Sequence, residues 1–301
     1  MSQEQRQLVD QLMRENPFDL GGDVATQRPL LEALLSAHPV PSDVITSEGT
    51  LGGRPAISVE VPPATTPGII LFLHGGGFVF GSATSSVGLV ADLARAASAR
   101  AITVDYRLAP EHPYPAAIDD AISAYRSLLA DHPGTHVTVA GESAGANVAL
   151  VMLLEARRQR IPMPAAIVLM SPLTDLNATS DSYRTKSGRD PKLTRQAIRT
   201  RAADYAGSAR LDRPELSPVN ANLSGFPPML IQVGSNEVLL DDSLRLAARA
   251  ASDDVDVTLE VTAVVPHVFQ AFAAILDEGA QALENAGAFL ARHLRRATTS
   301  A

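Results

Sequence analysis

Gly141-Glu142-Ser143-Ala144-Gly145 fits the pattern G-x-S-x-G, in which a serine hydroxyl can act as a nucleophile. Its neighbours decide what the five residues are for. A short β-rich run over 136–140 precedes the motif and a helical pattern over 144–159 follows it, so the serine falls on a strand-to-helix turn. Such a turn needs small residues at its edges, and it lifts the hydroxyl above the sheet at the positive end of a helix. A second cluster, His74-Gly75-Gly76-Gly77-Phe78, directly follows the apolar run 68–73. Three successive glycines let backbone N–H groups approach a ligand without side-chain obstruction, which suits either a phosphate cradle or an oxyanion hole. A phosphate site would need a Walker-type lysine or a G-x-G-x-x-G spacing before a helix, and the chain has neither. The oxyanion hole remains, with the amides of Gly76, Gly77 and Ala144 aimed at the oxygen that becomes negative as a carbonyl carbon turns tetrahedral. One such donor is worth about 3 kcal/mol of transition-state stabilisation.

Together with DYRLAPEHPYPAA over 105–117, these clusters resemble the hormone-sensitive-lipase-like family of α/β-hydrolase esterases and lipases, the bacterial family IV carboxylesterases. Three motifs in order carry the resemblance, and it extends over residues 40–295 or so. It implies an α/β-hydrolase fold and hydrolysis of short- to medium-chain acyl esters through an acyl-serine. It also implies that N-terminal and inserted helices cap the site.

A general base must come from a loop that reaches Ser143. Of the seven histidines, His74 belongs to the glycine cluster and His112 to the 105–117 segment. His132 and His136 are too close to the serine's own strand, and His38 and His293 lie in terminal segments. His267, just after the last expected strand, satisfies the order serine, acid, histidine. The orienting acid should follow the strand 229–233, where Glu237, Asp241 and Asp242 all occur. The family presents Asp-x-Leu-x-Asp-Asp/Glu here. Laid on this chain, that pattern puts Glu237 at the catalytic position, one methylene longer than the usual aspartate, with Asp241 as the alternative. Asp241 and Asp242 also suit the first turn of a following helix. Glu142 is expected to hydrogen-bond within the serine turn, while Arg107, Glu111 and Asp119 suggest an ion-pair network around 105–117.

The elements that must position these residues alternate from about residue 42, as parallel strands joined by crossover helices do. Strands are expected at 42–47, 55–61, 68–73, 100–105, 136–140, 165–170, 229–233 and 256–262. Helices are expected near 86–99, 115–131, 144–159, 241–251 and 268–294, the last interrupted at Gly279. The fold class is therefore α/β: a mostly parallel, eight-stranded sheet flanked by helices. Residues 1–40 read as N-terminal cap helices, with Leu8, Val9, Leu12 and Met13 on the buried face of the first. Residues 41–301 form the hydrolase domain, with a cap insertion at about 174–226 that contains Gly188-Arg189-Asp190-Pro191 and a helix near 194–206. Phe78, Phe80, Tyr183 and Tyr205 are candidate walls of a substrate pocket between the glycine cluster and the caps.

The 301 residues carry 33 acidic and 25 basic side chains, for a formal charge of −8, with no basic stripe for nucleic acid. Cysteine is absent, which excludes disulfides, thiolate catalysis and cysteine-ligated metal. No metal-binding pattern such as H-E-x-x-H occurs, and the proposed chemistry needs no cofactor. No segment reaches the roughly 18 apolar residues of a membrane span, so stable membrane insertion is not expected, and the cytoplasm is the expected location. The expected partner is a small-molecule ester. A homodimer through the edge of strand 256–262 or through the caps is compatible with the resemblance. Lactone, carbamate or amide hydrolysis would use the same residues, and a small-ligand receptor on this fold is the non-enzymatic alternative.

Overall fold

Ile69-Ile70-Leu71-Phe72-Leu73 offers no polar side chain to either face, and it forms the fully buried strand β3 (Ile69–Leu73) of an eight-stranded sheet. The computed structural model describes residues 3–36, 40–131 and 137–298. His38, His132 and His136 lie outside the described residues. The other strands are β1 (Ile45–Leu51), β2 (Arg54–Glu60), β4 (Arg100–Val104), β5 (Val137–Glu142), β6 (Ile167–Met170), β7 (Met229–Gly234) and β8 (Val257–Thr262). They run in the order β1-β2-β4-β3-β5-β6-β7-β8. The β1–β2 and β2–β4 pairs are antiparallel and the other five are parallel.

Strand periodicity divides the core into two layers. Ile69, Leu71 and Leu73 face one layer, shared with α4 (Ala116–Asp131), α5 (Ser143–Arg158) and α8 (Leu240–Ser252). Ile70 and Phe72 face the other, shared with α3 (Ala83–Ala97) and α9 (Asp277–Thr298). Two helices, α1 (Gln3–Glu15) and α2 (Val24–Ser36), precede the sheet, while the stretch between β6 and β7 contains α6 (Ser182–Thr185) and α7 (Arg195–Ala206). Among the described residues, no helix is long and apolar enough to cross a membrane.

Four local features depart from the sequence reading. β1 lies later than 42–47 because Gly52 and Gly53, both at positive φ, turn it back onto β2. α3 starts at Ala83 because Ser82 and Ser85 form a reciprocal cap, satisfying two amides at the helix start. The last helix is not broken at Gly279. A 3₁₀ turn at Phe269–Phe272 comes first, α9 then begins at Asp277, and a methyl at Gly279 would sit 2.7 Å from Phe269 O, so this glycine permits close packing of the two. On α1 only Val9 of the expected apolar face is fully buried, against Val265 and Phe269, with Met13 partly covered. Leu8 and Leu12 remain 47% and 44% exposed. Periodicity named the apolar stripe, but pairing of Gln5 and Arg6 with Asp277 and Glu278 rotates the helix so that Val9 faces inward.

Candidate active site

β5 ends at Glu142 and α5 begins at Ser143, whose φ of 52° marks the sharp turn between them. This geometry requires Gly145, since a methyl there would lie 2.1 Å from Leu73 O and 2.3 Å from His74 O. The serine turn thus rests directly on the end of β3, beside the glycine cluster. Ala144 lies in the first turn of α5, where amides have no intrahelical acceptor. Among the described residues, no backbone carbonyl accepts from Gly76 or Gly77 N–H. The third glycine amide is committed, because Gly75 N donates to Glu142 Oε1 at 3.2 Å.

His74 braces this loop. Its Nδ1 lies 2.9 Å from Gly75 O, its ring stacks on Tyr106 at 4.3 Å, and Tyr106 Oη donates to His74 O at 2.6 Å. Burial lowers the His74 pKa and so favours the neutral ring.

Glu237 and His267, the expected acid and base, lie on the loops after β7 and β8. His267 Nδ1 pairs with Glu237 Oε2 at 2.8 Å. The other oxygen of Glu237 accepts from Gly234 N at 2.5 Å and from Ser171 Oγ at 2.7 Å. Ser171 Oγ also accepts from Val268 N at 3.1 Å, and Leu173 N donates to Ser143 O at 3.1 Å. The segment after β6 therefore ties the serine, acid and histidine loops together. Sequence reasoning did not find Ser171; its one signal is a hydroxyl closing an apolar strand between β5 and β7.

The neighbouring carboxylates are otherwise engaged. Asp241 accepts from Ser182 N at 2.8 Å, and Asp242 accepts from Thr174 N and Asp175 N at 2.7 and 2.8 Å. The network around 105–117 also differs from expectation: Arg107 pairs with Asp120 at 2.8 Å in place of Asp119, and Glu111 pairs with Arg28 of α2 at 2.7 Å. Asp120 is the residue of that helix turn facing the Arg107 backbone amide, which it also accepts.

All four candidate wall aromatics are buried. Phe78 stacks on Tyr205 at 3.9 Å, and Phe80 meets Phe18 edge-on at 5.2 Å. Tyr183 has Asp242 and Asp175 as charged neighbours. Above the glycine cluster, a methyl on Gly77 would sit 3.0 Å from Leu20 Cδ1 and 3.1 Å from Arg201 Cγ. Arg201, on α7, donates to Gly22 O at 3.2 Å and lies 5.5 Å from the Phe80 ring centroid. Sequence reasoning passed over this buried arginine, since nothing in its spacing links α7 to residue 77.

Burial acts most strongly on His267 and lowers its pKa, but the hydrogen bond and charge of Glu237, with Asp190 and Glu142, outweigh it, leaving a value above the ordinary 6.5. Burial raises Glu237, opposed by its bonds from His267, Gly234 and Ser171, and burial likewise raises Glu142. A protonated imidazole cannot take a proton from serine. Ester turnover should therefore fall as pH drops through a midpoint above 6.5, and a kcat/KM profile checks this; a midpoint below 6.5 would contradict it.

The sequence pattern of the alpha/beta hydrolase fold family matches residues 70–271. An acetyl-hydrolase of Streptomyces hygroscopicus is 38% identical, over 96% of this chain and 97% of that protein. An esterase of Acinetobacter venetianus is 36% identical over 87% of each. Among solved structures, an esterase from the bacterial hormone-sensitive lipase family superposes with a TM-score of 0.93 at 37% identity, over 98% of this chain and 99% of that one. On these grounds the chain belongs to the alpha/beta hydrolase family, among its hormone-sensitive-lipase-like carboxylic ester hydrolases.

Proposed function

We propose that this protein is a serine carboxylesterase for small esters with short to medium acyl chains, with Ser143 as nucleophile, His267 as general base and Glu237 as orienting acid. The observation that carries the reading is the 2.8 Å His267–Glu237 pair, which occupies Nδ1 and leaves Nε2 as the ring nitrogen available to act as base. His267 takes the Ser143 proton as Oγ attacks the ester carbonyl carbon, and Glu237 stabilises the resulting imidazolium. The amides of Gly76, Gly77 and Ala144 receive the oxyanion. On collapse the carbon–oxygen bond to the alcohol breaks, and His267 returns the proton to the departing alkoxide. Water, deprotonated by the same imidazole, then attacks the acyl-serine and releases the acid.

Chain-length preference follows from the roof over Gly77. Leu20 and Arg201 press on it from the N-terminal segment and from α7, and we take α1, α2 and the 174–226 segment as the cap. Phe78, Phe80, Tyr183 and Tyr205 are each 3% exposed or less and packed into the core, so the walls expected of them do not face the site and the acyl side is formed by other residues. Rates on nitrophenyl esters from acetate to palmitate should peak among the shorter chains, and labelling with a serine-directed phosphonate should modify the peptide containing Ser143. A maximum at palmitate, or label on another serine, would reject the reading. A cytoplasmic site of action and a homodimer belong to the same proposal, the latter supported by β8, which ends the sheet with Val261 45% exposed.

A further inference from the structure

The turn Gly188–Lys192 belongs to the segment between β6 and β7, yet its hydrogen bonds reach two other parts of the chain, the loop after β7 and the N-terminal segment. Asp190 Oδ1 accepts from Lys192 N at 3.0 Å and from Leu193 N at 2.8 Å, closing the turn on itself. The second oxygen, Oδ2, accepts from Val238 N at 3.0 Å, and Val238 immediately follows Glu237. The N-terminal segment grips the same turn from the other side. Arg14 of α1 donates to Gly188 O and Arg189 O at 3.2 and 3.3 Å, while Lys192 Nζ donates to Phe18 O at 3.1 Å and to Asn16 O.

Asp190 is only 5% exposed. A carboxylate is costly to bury, and one that merely closed a turn could be replaced at lower cost by a neutral asparagine or serine. What the second oxygen adds is a contact to the backbone beside the proposed triad acid. Glu237 is already held at its carboxylate by Gly234 and Ser171. Asp190 holds the main chain on the other side of the same residue.

We propose that Asp190 is a positioning residue for the triad: through Val238 N–H it fixes the backbone that carries Glu237. The carboxylates acting on His267 are Glu237 from the loop after β7, Asp190 from the inserted segment and Glu142 from the serine turn; Arg14 is the cation acting on Asp190. With this assignment the inserted segment contributes to the chemistry as well as to covering it. The inference rests on the serine-esterase reading above.

Asp190→Asn separates the two roles. Asparagine keeps one oxygen for Lys192 N and Leu193 N, but turns an NH₂ group toward Val238 N–H and carries no charge. Measured on the full chain, with folding checked by circular dichroism, the variant should lose about tenfold or more in kcat with KM little changed. The acid limb of its kcat/KM profile should move to lower pH, because a charge that raises the His267 pKa has gone. Asp190→Ser gives the same comparison if the asparagine variant fails to fold. Unchanged kcat and an unmoved acid limb would overturn the proposal, as would a lower kcat with the acid limb in place, since loosened packing alone produces that. Ester turnover that survives Ser143→Ala, with Asp190 unchanged, would instead overturn the esterase reading itself.

Discussion

Replacing Ser143 with alanine should lower ester turnover by about 10⁵-fold or more while leaving the unfolding midpoint near that of the parent protein. Both halves of the expectation follow from the turn. Among the described residues the hydroxyl makes no hydrogen bond, whereas Ser143 O, which accepts from Leu173 N, is main chain and survives the change. Alanine is small enough to keep φ near 52°, at a strain the serine already bears. Residual rate would reflect the oxyanion donors alone, since Gly76, Gly77 and Ala144 still polarise a bound carbonyl. Nitrophenyl acetate hydrolysis on purified protein, with thermal unfolding measured in parallel, reads both quantities. A variant that retains a tenth of the parent rate would show that another group performs the attack.

The second large effect is expected at Glu237. Glu237→Ala should reduce kcat by about 10³- to 10⁴-fold, because His267 then loses both the partner that fixes its tautomer and the charge that stabilises its protonated form. Asp241→Ala, four residues on, should leave kcat within about twofold. It removes the acceptor of Ser182 N, a loss of about 1–3 kcal/mol in stability. Comparing the two variants by kcat and by thermal midpoint assigns the acid: a larger kcat loss in the Asp241 variant would move the role to Asp241. Glu237→Gln adds a finer test, since an amide can offer either an acceptor or a donor to His267 Nδ1 and so tolerates the wrong tautomer.

How far the sequence carried these assignments depends on how local the determining contacts are. The serine turn and the glycine loop were legible because their constraints lie within a few residues; Gly145 is demanded by β3 backbone that the alternation of strands already placed nearby. The central parallel strands were readable for a similar reason, as apolar runs such as 69–73 are buried on both faces, whereas the exposed antiparallel strand β1 carries no such run and was placed too early. The choice among Glu237, Asp241 and Asp242 was not readable from spacing alone. Three carboxylates within six residues look alike until Ser171, 66 positions away, and Gly234 are seen to hold one of them. Asp190 and Arg201 went unassigned for the same cause: each acts on a residue far away in sequence, and nothing around either advertises its target. The Leu8 and Leu12 expectation failed differently. Helical periodicity names a stripe but not the rotation about the helix axis, and two polar pairs with Asp277 and Glu278 set that rotation.

The meeting of Leu20 and Arg201 above Gly77 has a bearing on how the molecule comes into being. Leu20 emerges early in synthesis, and Arg201 only after two-thirds of the chain has been made, so the two cannot converge until most strands exist to hold them. Glu237 and His267 emerge later still, so the hydroxyl of a partly made chain has no base to activate it, and the residues that roof Gly77 are already synthesised before the chemistry they enclose can begin.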